Sequence, residues 1–125
     1  MILDTNAVSA LLGGDRALEV FLDGSGRHHV PTVVLGEYRY GLFRSRAGRE
    51  LSLLLDILTS ESIVLPIDVA TAGHYAAVRD ELRRQGTPIP ENDVWISALA
   101  RQHELPVVSR DEHFDLVLGL DRRVW

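Results

Sequence analysis

Short runs of contiguous apolar residues alternate with longer stretches in which apolar side chains recur every three to four positions. The runs Met1–Leu3, His29–Pro31, Ile63–Ile67 and Pro106–Ser109 lack polar alternation and are too brief for helices, so they predict strands covered on both faces. Between them the helical period dominates. Asp4 or Asn6 can cap a short helix over Ala7–Leu12 that Gly13-Gly14 ends, and Arg16–Asp23 carries Leu18, Phe21 and Leu22 at helical spacing. Thr32 is positioned to cap a helix from Val33 to about Arg46. A second helix covers Arg49–Thr59, with Leu51, Leu54, Leu55 and Leu58 inward. Asp68 caps a long helix to about Gln85, with Gly86 at the stop position. Thr87–Glu91 reads as a loop, and Asn92 or Asp93 opens a helix to His103. After Asp111–Asp115 comes a short turn, and Arg122–Trp125 is expected as an edge strand.

Buried strands separated by helices predict one domain over residues 1–125, a three-layer α/β/α sandwich with a central, mainly parallel sheet. Ligands in such sheets bind beyond the carboxyl ends of the strands. Asp4 and Asp111 each fall just past such an end.

Composition narrows the chemistry. There is no cysteine, which excludes disulfides, thiol catalysis and Cys-based zinc sites. All 13 basic residues are arginine, so chemistries that need a lysine ammonium, including the P-loop and Schiff-base catalysis, are also excluded. The net charge of −5 argues against a general nucleic-acid coat but not against an enzyme that holds phosphates through metal ions. No leader resembling a signal peptide follows Met1, and no apolar run approaches the ~20 residues of a membrane span. A cytoplasmic protein is the expectation.

Four acids stand where they can converge. Asp4 and Asp111 follow strands, Glu37 lies early in its helix, and Asp93 lies at the start of another. Carboxylates gathered within a few ångströms repel one another, and burial disfavours their charge further, so such a cluster calls for a cation. Oxygen ligation without cysteine or a histidine pair points to Mg²⁺ or Mn²⁺. Singly, each acid also has a plain structural reading: Asp4 and Asp111 as turn residues, Asp93 as a helix cap, Glu37 as a solvated helix residue.

The motifs around these acids carry a resemblance. Asp4-Thr5-Asn6 after an N-terminal strand resembles the opening of PIN-domain proteins. Val33–Gly41, with Glu37 on a helix, is similar to their second motif, Pro90–Ala100 with Asp93 to their third, and Val107–Phe114 with Asp111 to their fourth. Order, spacing and length together resemble the VapC group of toxins. The resemblance implies a Mg²⁺- or Mn²⁺-dependent endoribonuclease, dimeric, cleaving RNA and held inactive by a cognate antitoxin. By position, Asp4, Glu37, Asp93 and Asp111 are the catalytic and metal-holding acids, and Asp115 matches a further acid that some members use. Thr5, Asn6 and Ser109 correspond to polar positions that orient carboxylates or water; the family often has threonine where Ser109 stands. Asn92 either supports Asp93 or caps its helix. Hydrolysis by a metal-activated water would leave a 5′-phosphate and a 3′-hydroxyl, with no side chain as covalent nucleophile.

Other residues have weaker assignments. Arg44, two turns along the helix from Glu37, and Arg110, next to Asp111, can hold RNA phosphate or lie solvated. Trp95, Tyr38 and Tyr40 can stack bases, although core or dimer packing is the plainer expectation. The histidines show no ligand spacing: His28 and His29 should face opposite sides of a strand, while His74, His103 and His113 are scattered, and none is expected to bind metal. Arg79, Arg83 and Arg84, with Asp80 and Glu81, read as an exposed helix face. Two other functions compete: a catalytically silent PIN-like module that binds RNA or a partner, and another metal-dependent phosphohydrolase. Many phosphatases place a second aspartate two residues after an aspartate nucleophile, where this chain has Asn6.

Overall fold

The computed structural model describes residues 1–125. Its elements in chain order are β1 (Ile2–Leu3), α1 (Thr5–Leu12), α2 (Arg16–Leu22), β2 (His29–Pro31), α3 (Thr32–Leu42), α4 (Gly48–Glu61), β3 (Ile63–Leu65), α5 (Val69–Gln85), α6 (Glu91–His103), β4 (Val107–Val108) and β5 (Arg122–Arg123), with a 3₁₀ turn at Glu112–Leu116 before β5. The five strands form one sheet in the order β3-β2-β1-β4-β5, every pair parallel. The sheet is thus entirely rather than mainly parallel, and Arg122–Arg123 forms its edge as expected.

The strands are short but deeply placed. Ile2, Leu3, Val107 and Val108 are fully buried at the sheet centre, packed with Val8, Val34, Leu55, Ile96, Leu99 and Phe114. Contiguous apolar strands of this kind need helices on both faces, which explains the layering. No helix is long and apolar enough to cross a membrane.

Several local expectations change. Thr32 does not cap α3; Pro31 holds the N-cap position without a side-chain bond, and the Thr32 hydroxyl reaches toward the Leu65 carbonyl at 3.5 Å. Pro90 likewise precedes α6, which opens at Glu91 rather than at Asn92 or Asp93. A proline fixes the extended entry backbone and blocks the preceding turn, so neither helix depends on a polar cap. Helix α3 stops at Leu42 rather than near Arg46, because the chain reverses tightly into α4. A side chain at Gly48 would meet the Leu42 carbonyl oxygen at 2.6 Å, so only glycine admits that approach. On α4, Leu55 and Leu58 are buried, Leu51 is half-buried and Leu54 is exposed at 38%, so the inward stripe is narrower than its spacing predicts.

Other signals hold. The Asp68 carboxylate accepts from the Thr71 N–H at 3.0 Å while the Thr71 hydroxyl accepts from the Asp68 N–H at 3.0 Å, a reciprocal cap on α5. Gly86 ends that helix with φ 72°.

One feature of the topology positions the site. From β1 the sheet continues through β2 and β3 on one side and through β4 and β5 on the other. The strand order reverses between β1 and β4, where open α/β sheets leave a crevice at the carboxyl edge.

Candidate active site

The parallel register pairs Ile2 with Val107 and Leu3 with Val108. The next residues, Asp4 and Ser109, are therefore neighbours at the reversal point, and the Asp4 N–H donates to the Val108 carbonyl at 3.2 Å. Asp4 caps α1: one carboxylate oxygen accepts the Thr5 N–H at 2.7 Å, and the other accepts the Ser109 hydroxyl at 2.8 Å. The Ser109 oxygen in turn accepts from the Asn6 amide at 3.0 Å and from the Asp111 N–H at 2.9 Å. The Asn6 carbonyl accepts the Arg110 N–H at 3.3 Å, which ties the strand-end segment to α1. Asp4, Asn6 and Ser109 thus behave as a bonded set.

Asp111 caps the 3₁₀ turn by accepting the His113 N–H at 2.9 Å. That turn folds the imidazole back onto the acids: His113 Nδ1 lies 2.9 Å from Asp111 Oδ1 and 3.3 Å from Asp93 Oδ2. Asp93, Asp111 and His113 each place one ligand-capable atom within 4.8 Å of the others. Asp4 and Glu37 lie outside this tightest set. Glu37, on α3, accepts from the Thr5 hydroxyl at 2.9 Å and from the Asn92 amide at 3.3 Å. Asn92 therefore neither caps α6 nor bonds Asp93; it ties α6 to α3 through Glu37.

His113 is the residue that spacing failed to reveal. Its proximity arises from the 3₁₀ turn, and the available signal was Asp111 as an Asx-type cap whose i+2 residue returns over it.

No arginine relieves the charge of the cluster. Asp4 is 4% exposed and Asp93 8% exposed. No arginine forms an ion pair with Asp4, Glu37, Asp93 or Asp111; the arginine pairs lie on other acids. Burial, then the Asp4 and Asp111 charges, pushes the Asp93 carboxyl up to about 6, against the opposing pull of His113. Burial also raises Asp4 above its ordinary value, opposed by its bonds from Ser109 and Thr5 and aided by the Glu37 and Asp111 charges. Buried Asp4 and Asp93 and half-buried Asp111, gathered with no guanidinium paired to them, form a donor set that fits a hard divalent cation.

The remaining candidates make other contacts. Asp115 gives both oxygens to Arg122, at 2.7 and 2.6 Å, which holds its carboxyl below the usual range and away from the tight set. The Arg44 guanidinium bonds the exposed Tyr40 hydroxyl at 3.2 Å and touches no acid. Arg110 lies over the Trp125 ring at 4.3 Å. Tyr38 is buried in the core, and Trp95 stacks on Tyr75 with ring centroids 3.8 Å apart, so packing accounts for both.

The PIN domain family profile matches residues 1–119. The ribonuclease VapC2 of Haemophilus influenzae is 32% identical over 129 residues, spanning 99% of this chain and 96% of its own. The tRNA(fMet)-specific endonuclease VapC of Shigella flexneri is 31% identical over 127 residues, spanning 99% of this chain and 96% of its own. Among solved structures, DNA-bound VapBC from Salmonella typhimurium has a similar fold, with a TM-score of 0.86 at 27% identity, covering 99% of this chain and 96% of that one.

Proposed function

This chain belongs to the PIN-domain family, within its VapC group, and we propose that its carboxylate cluster is the active centre of a metal-dependent endoribonuclease acting as the toxin of a toxin–antitoxin pair. The observation that carries this reading is the approach of buried Asp93 to Asp111, beside Asp4, with no arginine to neutralise them.

Asp93 and Asp111, with Asp4 and Glu37 beside them, would hold Mg²⁺ or Mn²⁺. When bound, such an ion lowers the pKa of a coordinated water and offsets phosphate charge. The chain's own groups prepare the site. Ser109 and the Thr5 N–H fix the Asp4 carboxylate, while the Thr5 hydroxyl and Asn92 fix Glu37. His113 spans Asp93 and Asp111 and sets the orientation of both carboxylates. Residues locked in this way keep their geometry when charge develops.

Transfer RNA is the first substrate to test, given the tRNA(fMet) specificity of the Shigella flexneri relative. Metal-activated water does not need the 2′-hydroxyl as nucleophile, so preference for RNA rests on shape and contacts. The partners we propose are a second copy of the chain and a cognate antitoxin. An acidic cleft suits an arginine-bearing antitoxin tail. Expression of the chain alone should arrest growth, and co-expression of the neighbouring antitoxin gene should relieve the arrest. Harmless expression of the intact chain would remove the toxin assignment, and RNA left uncut with Mg²⁺ or Mn²⁺ present would remove the nuclease assignment.

A further inference from the structure

Trp125 meets the site segment through Arg110. The Arg110 guanidinium stacks on the Trp125 ring at 4.3 Å, and its Nη2 is 3.5 Å from both the Trp125 carbonyl oxygen and Asp15 Oδ2. Asp15 is already engaged. Its Oδ1 accepts the Ala17 and Leu18 N–H groups at the start of α2, at 3.0 and 3.1 Å, and its Oδ2 accepts the Trp125 indole N–H at 3.1 Å. Only one guanidinium nitrogen is used, at long range, and the Arg110 side chain stays 53% exposed.

We propose that Trp125, with Asp15, is a positioning residue that presents Arg110 as an RNA-phosphate contact beside the acidic centre. This rests on the ribonuclease reading and adds to it. Three observations carry it. First, the face of the guanidinium is packed on the indole while the remaining N–H groups are left open, an arrangement suited to a phosphate oxygen pair. Second, Arg110 lines one open depression together with Asp111 and His113. Third, the other arginine at this segment is consumed: Arg122 gives its donors to Asp115 and to the Ser109 carbonyl. An acidic centre in a chain of net charge −5 needs a cation at its rim to admit a polyanion. Arg110 is that cation, and the indole removes the rotamer freedom that it would otherwise lose on binding.

The test uses fluorescent bulk transfer RNA as the binding probe and Mg²⁺-dependent cleavage of the same RNA as the kinetic one. Arg110→Ala should weaken binding and raise KM on the order of tenfold, with kcat within about twofold, as expected for loss of a charged hydrogen bond made equally in ground and transition states. Trp125→Ala should do the same although Arg110 is intact, whereas Trp125→Phe, which keeps an aromatic face, should recover most of the affinity. The double variant Arg110→Ala/Trp125→Ala should be no weaker than Arg110→Ala alone, because both act through one contact. Each alanine variant should also flatten the plot of log Kd against log salt by about 0.7.

Binding that ignores Trp125→Ala, or effects of the two variants that add, would overturn the proposal. Equal losses in Trp125→Phe and Trp125→Ala would do so too. Wild-type chain that binds RNA without cutting it would sink the nuclease reading, while Trp125-dependent binding would still support the positioning of Arg110 by Trp125.

Discussion

The Ser109 hydroxyl donates to the buried Asp4 carboxylate at 2.8 Å, across 105 residues of chain. The same oxygen accepts from Asn6 and from the Asp111 N–H, so one side chain fixes the first and the last acid of the cluster. Ser109→Ala would leave an oxygen of Asp4 and two donors without partners in a buried setting. Unmatched buried polar groups cost about 1–3 kcal/mol, so the variant should melt several degrees lower. Ser109→Thr keeps the hydroxyl and should hold both stability and cleavage near wild type. Thermal melts paired with RNA cleavage assays check both, and a silent Ser109→Ala would contradict the role of the network.

The raised Asp93 carboxyl sets a pH dependence. Between about pH 4 and pH 6 the folded chain keeps a proton on Asp93 that the unfolded chain, at its ordinary 3.8, has released. Folding then takes up protons, so metal-free stability should fall as pH rises through this window and level off above it. The gap from 3.8 to about 6 corresponds to on the order of 3 kcal/mol. Asp4, raised by burial, adds in the same direction. Denaturant unfolding in EDTA at several pH values should show the decline in wild type and a flatter curve in Asp93→Asn.

The same repulsion predicts a reversal with metal. In EDTA at pH 7, Asp93→Asn should melt above wild type, since it removes a buried charge among like charges. Mg²⁺ at ten times its dissociation constant should stabilise the wild type by about 1.4 kcal/mol and the variant by less. Equal Mg²⁺ shifts in the two proteins would mean that Asp93 takes no part in holding the ion.

Much of the fold and site was legible because the relevant physics is local. Apolar runs mark the strands, and Asp4 and Asp111 fall just past strand ends. What escaped depended on three-dimensional return paths. Pro31 and Pro90, not Thr32 or Asn92, precede their helices, because backbone restriction replaced side-chain capping. His113 reaches Asp93 only through a 3₁₀ turn whose geometry no periodicity records. Asp115 carries an acid in the right motif yet turns to Arg122, a partner supplied by the edge strand. Local spacing offers Asn92 only as support for Asp93 or as a helix cap, and its bond to Glu37 on another helix leaves no trace there.

Glu37 offers a further check on that cross-helix link. Thr5→Val removes one of its two hydrogen-bond donors and nearly preserves side-chain shape. The site is partly exposed there, so stability should change by less than about 1 kcal/mol. Cleavage should fall several-fold if Glu37 must be held in place. Unchanged cleavage in Thr5→Val would mean that Glu37 orients itself without this bond.

Metal-dependent cleavage by the carboxylate cluster is tested by incubating purified chain with end-labelled RNA in Mg²⁺ or Mn²⁺, beside EDTA and beside Asp4→Asn and Asp93→Asn. Discrete cleavage is expected with either ion, none in EDTA, and loss of cleavage by at least about a hundredfold in both variants while their folds persist. Full cleavage in excess EDTA, or by the Asp93→Asn variant, would contradict it.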